Sequence, residues 1–141
     1  MKLLLLTVGK LRDPWVQSGC AEYEKRLRAR FPLEIVEAKD HAALQRKLPP
    51  RFALWVLDER GQQFSSLELA QKLDLAKQSA MPGLALCIGG ADGTPPSFRD
   101  QAHCLWSLSK LTFPHRLARL LVLEQLYRAQ SILENSPYHR S

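Results

Sequence analysis

Apolar residues along this chain recur with two different spacings. Continuous short runs occupy residues 3–8 (LLLLTV), 52–57 (FALWVL), 84–88 (LALCI) and 103–107. Runs of this length, closed by Gly9, Asp58 and Gly89, predict strands covered on both faces, as in a parallel sheet. Residues 33–38 (LEIVEA) alternate apolar with acidic and predict a strand with a wetter face. Between the runs the spacing becomes helical. Val16, Cys20, Tyr23 and Leu27 predict a helix over 15–30, with Asp13 as its N-cap and Pro14 in its first position. Residues 41–48 predict a short helix ending before Pro49-Pro50. Residues 58–61 form a turn. Ser65 followed by Glu68 is a capping-box pattern, and Leu67, Ala70, Leu73 and Ala76 form the buried stripe of the helix behind it, which Pro82-Gly83 end. A further short turn or helix is expected over 97–102.

The last third, LWSLSKLTFPHRLARLLVLEQLYRAQSILENSPYHRS, organises the rest. It predicts a strand, a tight loop, a helix over 113–134 and a polar tail ending Tyr138-His139-Arg140. Thr112 suits the N-cap, Pro114 suits the first turn, and the helix stops near Asn135. Arg116, Arg119, Gln130 and Glu134 share one helical face and Glu124, Arg128 and Ser131 a second. Apolar residues fill most of the remainder. That arc is wider than one core contact needs, which predicts packing on the chain's own sheet and on a second subunit. Glu124 and Arg128, one turn apart, predict an ion pair worth about 0.2–0.5 kcal/mol.

Strands alternating with helices at short spacing define an α/β chain: a three-layer sandwich with a mostly parallel sheet, in one domain spanning residues 1–141. Ligands of such sheets sit at the carboxyl ends of the strands. Three loops there, 57–61, 88–93 and 108–113, are expected to converge on one pocket. Gly89-Gly90 lets backbone groups approach a flat ligand, although alone it reads as an ordinary turn. The dinucleotide fingerprint and the P-loop lysine are absent. So are a zinc-protease helix, a nucleophile elbow and any Cys/His cluster. The chemistry on offer is a ligand cleft without an enzyme nucleophile. His115 and His139 each fit a base, a phosphate donor or a surface residue. The tail cannot serve a core, which favours a functional role there over a frayed terminus.

Charge sharpens this picture. The net charge is +6, and residues 1–51 carry 11 basic against 6 acidic side chains, residues 52–104 carry 4 against 6, and residues 105–141 carry 5 against 2. If the two basic ends meet they form a face suited to nucleic acid, although the same surplus alone also serves solubility. Cys20, Cys87 and Cys104 stand singly in apolar surroundings and read as buried thiols of a cytoplasmic protein. Residues 3–8 are too short to cross a membrane and precede no cleavage site.

The strings CIGGADG, SLSKLTFPH, ARLLVLEQLYRA and PYHR, with LLTVGK, AEYEKRL and LDERGQ followed by Ser65-Ser66, together resemble the RlmH family. These are ribosomal large-subunit pseudouridine methyltransferases of the SPOUT superfamily. The resemblance implies a homodimer whose C-terminal segment is threaded through a trefoil knot, against the usual absence of knots. It implies S-adenosylmethionine bound in that knot by Leu57, Gly89, Leu108, Ser109, Lys110, Leu111, Thr112 and Phe113. The implied reaction is methylation at N3 of a pseudouridine in helix 69 of 23S rRNA on the assembled ribosome, with no metal and no membrane. Because such a reaction must align its acceptor and remove the N3 proton, Arg128, Tyr138 and His139 are expected to bind and orient the base, with His139 the best candidate to accept the proton. Lys10, Arg116, Arg119 and Arg140 are expected to contact the RNA backbone. Two departures stand out: residues 39–52 are fewer than is usual, and Leu111 replaces a common methionine, a swap that conserves apolar volume. The competing reading is a ribosome- or RNA-binding protein on a methyltransferase scaffold that has lost catalysis.

Overall fold

Strands and helices alternate in the order that the apolar spacing dictates. The structure is a computed structural model that describes residues 1–140; Ser141, the last residue of the expected tail, lies outside them. Among the described residues the elements are β1 (Lys2–Val8), α1 (Pro14–Arg28), β2 (Leu33–Ala38), α2 (His41–Lys47), β3 (Ala53–Gln62), α3 (Ser66–Gln78), β4 (Gly83–Ile88), α4 (Pro96–Gln101), β5 (Cys104–Trp106) and α5 (His115–Leu133). A 3-10 turn, Pro137–Arg140, closes the chain. The strands form one sheet in the order β2-β1-β4-β3-β5, and every neighbouring pair is parallel.

Side-chain alternation in the strands divides the core in two. Leu3 and Leu5 of β1 and Leu84 and Leu86 of β4 face α1, α3 and α5, while Leu4, Leu6, Ala85 and Cys87 face Leu44 of α2 and Phe98 of α4. This is the expected three-layer sandwich. β4 lies at its centre and is buried along its whole length. β2 lies at the edge and keeps exposed glutamates, which explains its alternating sequence.

Four local expectations need correction. β3 runs through the turn expected at 58–61, because Gln62 returns to pair with Trp106 beyond a register shift at Leu57. Gly61 permits this, since a Cβ there would lie 2.5 Å from the Leu105 backbone. In α3 the capping box forms as expected, with Glu68 N–H donating to Ser65 Oγ at 3.1 Å and Ser65 N–H to Glu68 Oε1 at 2.8 Å. The buried stripe, however, is Leu69, Ala70 and Leu73, and Leu67 is 55% exposed. Asp13 occupies the N-cap of α1 without capping it, because its carboxylate pairs with Arg116 at 3.0 Å. Finally, α5 begins at His115 with Pro114 at its N-cap. A residue before proline is held out of the helical region. Phe113 therefore cannot start the helix, and the Thr112 hydroxyl donates instead to Glu59 at 3.1 Å.

At the other end α5 stops at Leu133, close to the expected stop, and Asn135 just beyond its C-cap adopts φ +56°. Asparagine tolerates that left-handed conformation better than most residues. The wide apolar arc of α5 is largely used within the chain. Val122, Leu123, Leu126 and Ala129 are buried in the layer that α5 shares with α1 and α3, and Leu117 and Leu121 remain half-exposed.

Candidate functional site

At one edge of the sheet, residues 57–60 of β3 and the loops that follow β4 and β5 close around a cleft of about 1040 Å³. That size matches ligand pockets, which span roughly 300–1,000 Å³. Leu57, Gly89, Leu108, Ser109, Leu111, Thr112 and Phe113 all line it. Lys110 is exposed and takes no part in the lining.

The glycine loop is more than an ordinary turn. A Cβ on Gly89 would fall 2.7 Å from the Gly93 backbone and from Thr94 Oγ1. Gly93 adopts φ +79° and donates its N–H to the Gly90 carbonyl at 2.9 Å. Glycine at 89 and 93 thus lets the loop fold back on itself and keep its backbone open to the cleft. The opposite wall is built by hydroxyls. Ser107 Oγ donates to the Ser109 carbonyl at 2.9 Å, and Leu111 N–H donates to Ser109 Oγ at 3.0 Å. Leu111 is left 70% exposed at the mouth.

One structural cluster at the cleft carries no sequence expectation. The Asp58 carboxylate receives the Arg60 N–H at 2.9 Å and Arg60 Nε at 3.2 Å, and lies 3.7 Å from Arg99. Arg99 also donates to the Thr94 carbonyl at 3.1 Å, so Asp58 ties the middle of β3 to the glycine loop. Burial pushes the Asp58 carboxyl up, but the Arg60 hydrogen bonds and the two guanidinium charges outweigh it and hold the group below the usual range. The spacing of Asp58 and Arg60 is visible in sequence; Arg99 is not.

The start of α5 supplies His115, Arg116 and Ala118 to the cleft. Arg119 does not fit the RNA contact expected of it. It is 5% exposed, and donates from Nη1 to Glu37 Oε2 at 2.8 Å and from Nη2 to Thr7 Oγ1 at 2.9 Å. Glu37 also accepts the Leu11 N–H at 3.1 Å. Burial pushes the Glu37 carboxyl up, yet the bonds from Arg119 and Leu11 prevail and hold it low. Lys10 and Arg140 are exposed, as an outward role requires.

Arg128, Tyr138 and His139 come together at the far end of α5. Arg128 Nε donates to Glu124 Oε1 at 2.8 Å, which is the expected helical pair, and Arg128 Nη1 lies 3.2 Å from His139 Nδ1. The guanidinium sits 4.8 Å over the Tyr138 ring. Tyr138 OH donates to Glu124 at 3.2 Å and lies 2.9 Å from Tyr23 OH, a residue expected only in the core stripe of α1. Burial, the Tyr23 contact and the Glu124 charge raise the Tyr138 phenol above its ordinary range. None of the three expected base-handling residues lines the cleft of its own chain. At a helical rise of 1.5 Å per residue, Arg128 lies about 20 Å along α5 from His115.

Burial pushes the Cys20 and Cys87 thiols up to about 11 and about 12, so both are inert. Among the described residues no group of His, Cys, Asp or Glu is arranged to hold a metal ion. No described helix is long and apolar enough to cross a membrane.

A family profile described as "Predicted SPOUT methyltransferase" matches residues 1–139. Two solved structures share the fold at low identity. One is described as "The structure of a probable methylase family protein from Haemophilus influenzae Rd KW20", with a TM-score of 0.61 at 10% identity over 96% of this chain and 69% of that one. The other, from "Structural insights into the 2-OH methylation of C/U34 on tRNA", gives 0.51 at 14% identity over 92% and 91%. Fold and cleft therefore define a SPOUT methyltransferase. Sequence relatives narrow the class. Proteins named "Ribosomal RNA large subunit methyltransferase H" are 47% identical in Synechococcus sp. (99% of this chain, 95% of that protein) and 41% identical in Geobacter metallireducens (100% of both). The chain belongs to the RlmH family.

Proposed function

We propose that this chain methylates N3 of a pseudouridine in helix 69 of 23S rRNA, on the assembled ribosome in the cytoplasm, with S-adenosylmethionine as donor and as a homodimer. The observation that carries the reading is the convergence of residues 57–60 of β3 and the loops after β4 and β5 on one cleft in a chain of this family. The cleft suits such a donor chemically. Leu57, Ile88, Leu108 and Phe113 offer apolar walls for a flat nucleoside, and the glycine loop offers backbone polar groups. Asp58, Glu59 and Asp92 and the guanidinium groups of Arg60, Arg99 and Arg116 also line the cleft, so it presents both charges to a donor that carries both a sulfonium and a carboxylate. When bound, the donor supplies a methyl group activated by its sulfonium, so no enzyme nucleophile is needed.

The chain's own residues then have two tasks: to align the acceptor, and to stabilise the charge left when N3 loses its proton. Arg128, Tyr138 and His139 are assigned to the base. Lys10, Arg116 and Arg140 are assigned to the RNA backbone, and Arg119 is withdrawn from that set. The rise of about 20 Å along α5 from His115 in the cleft to Arg128 beside the tail supports the dimer, because a tail supplied by a second copy would complete a cleft that its own chain's tail does not line. Leu117 and Leu121 lie on the same outer face of α5 as Glu124 and Arg128, and Trp15 is 60% exposed on α1. Both features suit an interface. The knot belongs to the same reading. Ser107 N–H bonds the Gln62 carbonyl at 2.8 Å and Thr112 bonds Glu59, so residues 107–112 run against the second half of β3.

The test is methyl transfer from radiolabelled S-adenosylmethionine to ribosomes lacking the modification and to free 23S rRNA, with the labelled nucleotide mapped. Label on a helix 69 pseudouridine in ribosomes is expected. Cofactor binding without transfer to any RNA would favour the scaffold reading.

A further inference from the structure

His139 Nδ1 lies 3.2 Å from Arg128 Nη1. A guanidinium has N–H donors only and stays protonated throughout the working pH range. Nδ1 must therefore give its lone pair to this bond, which leaves the hydrogen of the neutral imidazole on Nε2. Arg128 is itself held. Its Nε donates to Glu124 at 2.8 Å, with both side chains less than a fifth exposed, and Tyr138 OH donates to the same carboxylate oxygen at 3.2 Å. Carboxylate, guanidinium and imidazole thus form a line in which each member orients the next. The exposed end of that line is an N–H.

We propose that His139 serves methyl transfer as a hydrogen-bond donor, through Nε2–H to a carbonyl oxygen of the target base, and does not accept the N3 proton. The proposal rests on the functional reading above. Proton uptake at Nδ1 would break the Arg128 bond, and Nε2 already carries a hydrogen. The N3 proton passes to water instead. The charge left behind spreads over the two carbonyl oxygens that flank N3, where a fixed N–H donor stabilises it. The N3 electron pair then forms the bond to the methyl carbon as the carbon–sulfur bond breaks and its pair leaves with sulfur. Glu124 and Arg128 act through His139 and are positioning residues.

Two measurements on the full chain test this. Multiple-bond 15N–1H spectra of histidine-labelled protein read the tautomer, with His139→Ala identifying the signal. The Nε2–H pattern is expected in the unmodified chain, relaxing towards a mixture of tautomers in Arg128→Met. Single-turnover methylation of unmodified ribosomes then compares His139→Gln with His139→Ala. The glutamine amide N–H stands where Nε2–H stood but cannot take up a proton. His139→Gln is expected within about tenfold of the unmodified chain and His139→Ala on the order of 100-fold below it, the scale of a lost transition-state contact. An Nδ1–H spectrum overturns the proposal, as does a glutamine variant as slow as the alanine one. An unmodified chain that methylates no ribosome would overturn the function proposed above and the donor role with it, whereas the spectrum reads the tautomer independently.

Discussion

Arg119 on α5 reaches across to Glu37 at the end of β2, with its Nη1 donating to the carboxylate at 2.8 Å and its Nη2 to Thr7 of β1 at 2.9 Å. Because Glu37 also receives the Leu11 amide, this one guanidinium pins the β1–α1 loop to the helix that floors the cleft. Removing one partner of a fully buried pair costs about 3–5 kcal/mol. Glu37 keeps a third of its side chain in water, so Arg119→Met is expected to cost less, about 2–3 kcal/mol. Urea unfolding measures this. The Glu37→Gln, Arg119→Met double variant should lose less than the sum of the two singles, because they share one interaction.

Acid should act through the same pair. Glu37 and Asp58 are both held below the usual carboxylate range in the folded chain. A group depressed in this way stabilises the fold above its unfolded pKa, near 4, and loses that contribution as pH falls through the lower folded value. The urea midpoint should therefore be flat above about pH 5 and decline below pH 4. Glu37→Gln and Asp58→Asn should each flatten the acid limb. An unchanged limb in both variants would place the acid sensitivity elsewhere.

Gly89 separates ligand binding from stability. A methyl group there must displace the Gly93 backbone or the Thr94 hydroxyl, both 2.7 Å away, and backbone yields poorly. Gly89→Ala is expected to weaken S-adenosylmethionine binding by tenfold or more in calorimetry, equivalent to at least about 1.4 kcal/mol. Ser65→Ala is the control. Loss of its cap should cost about 1 kcal/mol of stability and leave cofactor affinity unchanged, because α3 does not line the cleft.

Separation of cleft and tail predicts complementation between chains. Gly89→Val should fail at the cofactor and a chain ending at Asn135 should fail at the base, each alone being inactive on ribosomes. Mixed under exchange, they should regain activity, because a heterodimer pairs one sound cleft with one sound tail. Activity that stays absent after mixing, with heterodimers verified by mass, would place the tail at the cleft of its own chain.

Salt dependence distinguishes the cations. Lys10→Ala and Arg116→Ala should each lower the salt slope of ribosome binding by about 1, as expected for a lost phosphate contact. Arg119→Met should leave the slope unchanged.

Local sequence determined much of this protein. The order of strands and helices, the capping box at Ser65 and Glu68, the Glu124–Arg128 pair and the glycines of the cleft loop all depend on residues within a few positions of one another. Periodicity, turn chemistry and one-turn spacing are set by the backbone itself, so they can be read before any packing is known. The convergence of the three segments was also legible, since parallel strands run to one edge, although residues 58–61 continue β3 where a loop was expected. Tertiary structure decided the rest. Arg119 looks like a surface cation on a polar face until sheet order brings Glu37, 82 positions away in sequence, beneath it. Gly61 reads as a turn until β5 lies against it. His139 offers either ring nitrogen until the fold sets Arg128 Nη1 3.2 Å from Nδ1. In each case the deciding partner is distant in sequence or, for His139, brought back by a chain reversal at Asn135, and no local pattern encodes which donor a side chain will meet after the chain has packed.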